Sequence, residues 1–141
     1  ISASGYIDQP WTISQYVNAV LPADANEILK EELGRGNQTV HLTLNRATLR
    51  CEDTLRPGER MGVHLSTLED LRAALDGIDL TKSPVQLYCG PSAAPVLGLL
   101  LARAKELGGE EQLQSYSGYI GADPLGFLAQ EGPVLSAGLP L

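Results

Sequence analysis

"SYSGYIGADPLGFLAQEG", Ser115 to Gly132, is the stretch whose reading decides the fold. "SYSGYIG" alternates and closes on glycine, as a short strand does. Asp123 followed by Pro124 reads as an N-cap and a first helical position, opening a helix through Gln130. Strand, sharp turn and helix together make one β/α unit. In an α/β barrel, the turn at the carboxyl end of a strand is where catalytic side chains stand. This turn offers Gly121 and Ala122, and neither has a reactive group.

Working outward, the same alternation repeats. "SPVQLYCG" is a short strand, and "PSAAPVLGLLLARAKELGG" is a helix closed by Gly108, apolar nearly all round at its start. In "STLEDLRAALDG", Ser66 and Glu69 have capping-box spacing, Leu68, Leu71 and Leu75 share a face, and Gly77 ends the helix. "QTVHLTLN" alternates and is β-branched, a strand. "LPADANEILKEELGRG" is a helix that starts at Pro22, with Ala25, Ile28, Leu29 and Leu33 on one face and Gly34 at its end. Residues 46–61 carry Arg46, Arg50, Arg56 and Arg60 among Pro and Gly, and read as a loop pairing with Glu52, Asp53 and Glu59.

The order is α-β-α-β-α-β-α, which argues a parallel sheet with right-handed crossovers. Three strands are too few to close a barrel. The expected fold is therefore α/β: a partial (β/α)8 TIM barrel of about three parallel strands alternating with helices. Residues 1–21 form an extended N-terminal arm leading into a short strand or helix, and residues 22–141 form the partial barrel segment.

Composition narrows the function classes. At 141 residues the chain is one domain or a piece of one. A start at Ile1 rather than Met suggests a processed chain or an excerpt. The net charge of −7 argues against nucleic acid or an anionic membrane surface as partner. No apolar run is long enough for a membrane span and no signal peptide opens the chain, so the expected location is cytoplasmic. Cys51 and Cys89 fit reduced intracellular thiols. Cys51 and Cys89 share no short spacing and have no nearby histidine partner in sequence, and two Cys and two His are all the chain has, so no metal site is expected. Ser115 and Ser117 lack the G-x-S-x-G surroundings of a hydrolase nucleophile. "GRGNQT" precedes a strand rather than a helix, the wrong context for a phosphate loop.

Several segments resemble one family. "YIDQPWTISQY" resembles the Y-x-x-R/Q-P-W-T-I-R-Q-Y segment that opens the catalytic barrel of methylmalonyl-CoA mutases. "GVHLSTLEDLRAALDGIDL" is similar to that family's G-V-x-I-x-S-x-x-D-M-x-x-L-F-x-G-I-P-L, and "SGYIGADPLGFLA" falls where the catalytic chain has G-T-I-Q-N-D-x-L-K-E. The resemblance implies a (β/α)8 barrel with the CoA tail along its axis, followed by a flavodoxin-like cobalamin domain. Adenosylcobalamin is the cofactor this implies for the complete mutase. None is expected on this chain, which has no D-x-H-x-x-G motif and only His41 and His64 as histidines.

Residue by residue, the resemblance makes Thr12 and Tyr16 the candidate substrate-binding side chains. It also places Gln9 and Ser14 where two CoA-contacting arginines stand. Neither can copy the charged fork of an arginine on phosphate. Aligned on the motifs, the barrel-facing positions are Thr39 and His41, then Gln86 and Tyr88, then Tyr119, while the catalytic glutamine becomes Gly121. Larger side chains in place of serines and threonines would fill the barrel as a packed core. The expectation is therefore a small, non-catalytic subunit with no catalytic residue of its own. It would support a catalytic mutase subunit or self-associate as a homodimer. One rival is an excerpt of a catalytic acyl-CoA mutase barrel that binds the CoA ester, favoured if Thr12 and Tyr16 face an open channel. Another is a stand-alone α/β binding module. His41 could serve as a base, but a hydrogen-bonded interior histidine is the plainer reading.

Overall fold

The structure, a computed structural model, describes residues 11–55 and 57–132, so Gln9 and Arg56 lie outside the described residues. Four strands form one sheet: β1 (Tyr16–Val17), β2 (Val40–Leu42), β3 (Val85–Tyr88) and β4 (Gly118–Gly121). They lie in the order β1-β2-β3-β4, and every pairing is parallel. Between them run α1 (Pro22–Gly34), α2 (Arg46–Leu49), α3 (Leu68–Ala74), α4 (Ala93–Leu107) and α5 (Glu110–Ser115), and α6 (Pro124–Glu131) follows β4. This is a partial α/β barrel wall of parallel strands alternating with helices.

The three expected strands are present, and a fourth, β1, forms in the arm. Two residues paired through Tyr16↔His41 and Val17↔Leu42 make it a strand. So short a segment shows no alternation to read. The arginine-rich stretch is not all loop, because one helical turn, α2, opens it. Asn45 caps that turn, its Oδ1 accepting from the Thr48 N–H at 2.8 Å. Helix α3 is capped by Thr67 and Asp70, one residue later than expected: Asp70 N–H donates to Thr67 Oγ1, and Asp70 Oδ2 accepts from Thr67 N–H. Ser66 also bonds Asp70, while Glu69 turns away to pair with Arg72. Burial pulls the Asp70 carboxyl upward, but the hydrogen bonds from Ser66 and Thr67 outweigh it and hold its pKa below the ordinary value.

The core lies on one side of the sheet. Val17, Val40, Leu42, Val85 and Leu87 are buried with Ala25 and Leu29 of α1, Leu71 and Ala74 of α3, and Val96 and Leu100 of α4. Truncating such a leucine to alanine costs about 2–5 kcal/mol. Buried Asn26 fastens α1 to the end of α3, its Nδ2 donating to the Ala74 and Asp76 carbonyls at 3.0 and 2.9 Å. Helix α6 lies at the carboxyl ends of the strands. There Phe127 packs against Gly90 and Glu131 pairs with Arg46 at 2.6 Å. Asp123 caps it as expected, accepting from the Gly126 N–H at 2.8 Å.

Gly118 sets how closely β4 approaches β3. Its φ is +127°, and a Cβ there would stand 1.9 Å from the Val85 carbonyl oxygen. Gly118→Ala is expected to lower stability by more than about 2 kcal/mol, from strain and clash together. Gly98, inside α4 with nothing within 4 Å, is the control. Gly98→Ala should be neutral or raise stability by about 0.5–1 kcal/mol. Urea unfolding of the two variants checks both, and an unchanged midpoint for Gly118→Ala would contradict the close β3–β4 approach.

Candidate ligand-binding face

The register places one residue from each strand in a row: Tyr16↔His41, His41↔Gln86 and Gln86↔Tyr119. Side chains alternate across a strand, so this row faces away from the helices that bury the neighbouring row. Gln86, Tyr88 and Tyr119 share this face, as the period-two alignment predicts. Tyr88 stands opposite Gly121 at the next level. The face is open among the described residues: Tyr16 is 58% exposed, Tyr119 53% and Tyr88 42%. The Tyr16 ring meets His41 edge-on, with centroids 6.3 Å apart.

Ser14 joins the arm to this row. Its hydroxyl donates to Gln86 Oε1 at 2.8 Å, accepts from Thr39 Oγ1 at 2.8 Å, and lies 3.2 Å from His41 Nδ1. Neighbouring arm residues are held the same way. Ile13 N–H donates to Gln38 Oε1, Gln38 N–H to the Ile13 carbonyl, and Gln15 N–H to Asn37 Oδ1. In the sequence, Ser14 stands out only as the residue in place of an arginine. Residues 11–15 have no regular secondary structure and hence no period that could have revealed its place.

Of the two candidate substrate residues, Tyr16 stands in the row, and Thr12 is exposed in the extended segment before it. Thr39 is fully buried beneath Ser14. The row carries no carboxylate and no cation. It can present hydroxyls, an amide, an imidazole and aromatic walls to an uncharged ligand. Gly121 adds no functional group.

Two depressions are also present, one away from this face and one at its β4 margin, where Tyr119 belongs to both. One, about 150 Å³, is lined by Cys51, Glu52, Asp53, Ser66 and Ser92. The other, about 380 Å³, has apolar walls from Leu97, Leu101, Leu113 and Tyr116 beside the open edge of β4.

The family model described as methylmalonyl-CoA mutase matches residues 1–137. The chain belongs to that family. Among its relatives, the probable methylmalonyl-CoA mutase large subunit of Mycobacterium tuberculosis is 32% identical over 108 residues, covering 73% of this chain and 14% of that protein. The probable mitochondrial methylmalonyl-CoA mutase of Caenorhabditis elegans is 32% identical over 113 residues, 77% of this chain and 15% of the relative. The methylmalonyl-CoA mutase large subunit of Streptomyces virginiae is 31% identical over 108 residues, with coverages of 73% and 15%. The chain thus spans about one seventh of the length of these mutases.

These relatives correct the expectation of a small, non-catalytic subunit, because those named by subunit are large subunits. The structure supplies the physical reason. The reading as a filled barrel needed Tyr88, Tyr119 and their neighbours to pack against one another as a core. The strands described make one wall, on which the three tyrosines are about half exposed, and side-chain size on one wall does not by itself make a core.

Adenosylcobalamin, which the family implies, does not fit the residues described here. His41 lies inside strand β2, and neither histidine sits in the D-x-H-x-x-G setting.

The cysteines make a separate test. Cys89 is fully buried, and burial pushes its thiol up to about 12. Cys51, with φ of +57°, is exposed, although partial burial raises its thiol as well. Titration of the native chain with a disulfide reagent should modify one thiol slowly and the second only after denaturation. Cys51→Ser should abolish the native reaction. Two rapid native equivalents would contradict the burial of Cys89.

Proposed function

We propose that this chain forms part of the barrel wall of a catalytic, large-subunit type acyl-CoA mutase, and that its open face binds the acyl-CoA ester. The observation that carries this reading is the row Tyr16–His41–Gln86–Tyr119, with Ser14 bonded into it. A pantetheine arm is a slim, uncharged chain with two amides and a thioester. It needs neutral hydrogen-bond partners and apolar or aromatic walls rather than charge, and this face supplies them. Thr12 and Tyr16 are the substrate-binding residues of the proposal. Rearrangement of the carbon skeleton with adenosylcobalamin belongs to the complete mutase, while this chain binds and orients the ester. A reducing, cytoplasmic compartment suits its two free cysteines.

Calorimetric titration of the 141-residue chain with methylmalonyl-CoA tests the reading. Saturable binding is expected. Tyr16→Ala or Tyr119→Ala should weaken it about tenfold, roughly the 1.4 kcal/mol of one lost aromatic contact. Gly98→Ala, on the outer helix, should bind as the parent does. Isomerisation by this chain alone is not expected, even with adenosylcobalamin supplied. Binding that ignores both tyrosine substitutions would sink the proposal.

The edge of β4 has no partner strand among the described residues, and Leu97, Leu101 and Trp11 are exposed. Such an edge seeks further strand pairing. In the isolated chain, a second copy is the proposed partner. Sedimentation at micromolar concentration should show a dimer, whereas a monomer with a sharp cooperative melt would refute self-association.

A further inference from the structure

The hydrogens around Ser14 can be assigned one by one. Ser14 Oγ has a single hydrogen and three polar neighbours. Gln86 Oε1, at 2.8 Å, can only accept, so it takes that hydrogen. Thr39 Oγ1, also at 2.8 Å, is then a donor to Ser14. The remaining neighbour is His41 Nδ1 at 3.2 Å. With the Ser14 hydrogen committed to Gln86, a bond there requires a hydrogen on Nδ1 itself. The neutral ring then keeps its lone pair on Nε2, for which no hydrogen-bond partner exists among the described residues.

His64 is arranged the opposite way. Asn45 Oδ1 is committed to the Thr48 N–H at 2.8 Å, so the Asn45 amide nitrogen is the group turned to His64 Nδ1 at 3.3 Å. That nitrogen donates, His64 Nδ1 accepts, and the ring hydrogen belongs on Nε2. The two histidines of the chain thus serve as each other's control.

We propose that Ser14 locks His41 as the Nδ1–H tautomer, and that the free Nε2 on the open face accepts a hydrogen bond from an amide N–H of the ligand. The ligand half rests on the acyl-CoA reading above, since a pantetheine arm brings two amide donors. Ser14 is a positioning residue acting through His41. In place of a charged contact to phosphate, it organises a neutral acceptor farther along the ligand. An acceptor fixed before binding favours a secondary amide over an ether or ester of the same length, which has no hydrogen to give.

Long-range proton–nitrogen NMR of the histidine rings, at mildly alkaline pH with the 141-residue chain, reads both halves. His41 should show the Nδ1–H pattern and His64 the Nε2–H pattern. Added pantetheine should move the His41 Nε2 signal and leave His64 in place. Ser14→Ala should let His41 populate the Nε2–H form and should weaken pantetheine binding about three- to tenfold, the worth of one neutral hydrogen bond. His41→Phe should weaken it equally, and it decides the ligand half if Ser14→Ala fails to fold. An Nε2–H His41 in the parent chain overturns the lock. Bound pantetheine with an unmoved His41 Nε2 overturns the acceptor role while leaving the acyl-CoA reading standing. If neither pantetheine nor methylmalonyl-CoA binds, the acyl-CoA reading falls and takes the ligand half with it.

Discussion

Everything described here depends on the register that keeps Val17, Leu42, Leu87 and Ile120 in one row against the helices. The side-chain period of a strand is two, so the adjacent row, Tyr16, His41, Gln86 and Tyr119, must face the other way. A slip of one residue would exchange the rows, burying an imidazole and an amide under α1, α3 and α4 and exposing leucine and valine. The helices enforce the register because their apolar faces accept only one of the two rows. Gly118 lets the β3–β4 pairing close, since no side chain fits beside the Val85 carbonyl.

The same constraint supplies the chemistry of the face. It holds no carboxylate, lysine or arginine, and Ser14 bonds to Gln86, Thr39 and His41. Such a set is preorganised: little side-chain freedom remains to be lost when a ligand arrives. The arm does not merely lie against the sheet. It contributes a strand, a hydroxyl that arranges the row, and the Tyr16 ring beside His41.

The misreading of the subunit type has a specific cause. Period two correctly placed His41, Gln86, Tyr88 and Tyr119 on the barrel-facing side of their strands. It could not say whether side chains of that size meet across the axis or stand apart around an open space. Volume at a position is a property of the residue, whereas occupancy of the axis depends on strand spacing and on what else reaches it. The displaced capping box of α3 has a similar origin. Ser66 and Thr67 are both able to cap, and Glu69 and Asp70 are both able to reach back, so local chemistry left two frames open. Packing of Leu71 and Ala74 into the core is consistent with the frame observed.

What the sequence determined by itself was the alternation of strands and helices, the parallel sheet, the faces of β2, β3 and β4, and the Asp123 cap of α6. These rest on periods and caps that act within a few residues. Only tertiary structure decided that Tyr16 and Val17 form a strand, that Asn45 opens a helical turn inside an arginine-rich loop, and that Ser14 sits at the centre of the polar row. Tyr16 and Val17 pair with residues 25 positions away, and Ser14 bonds Gln86 across 72 residues. No local pattern encodes such contacts, because they exist only once the helices have fixed the sheet against which the arm is laid.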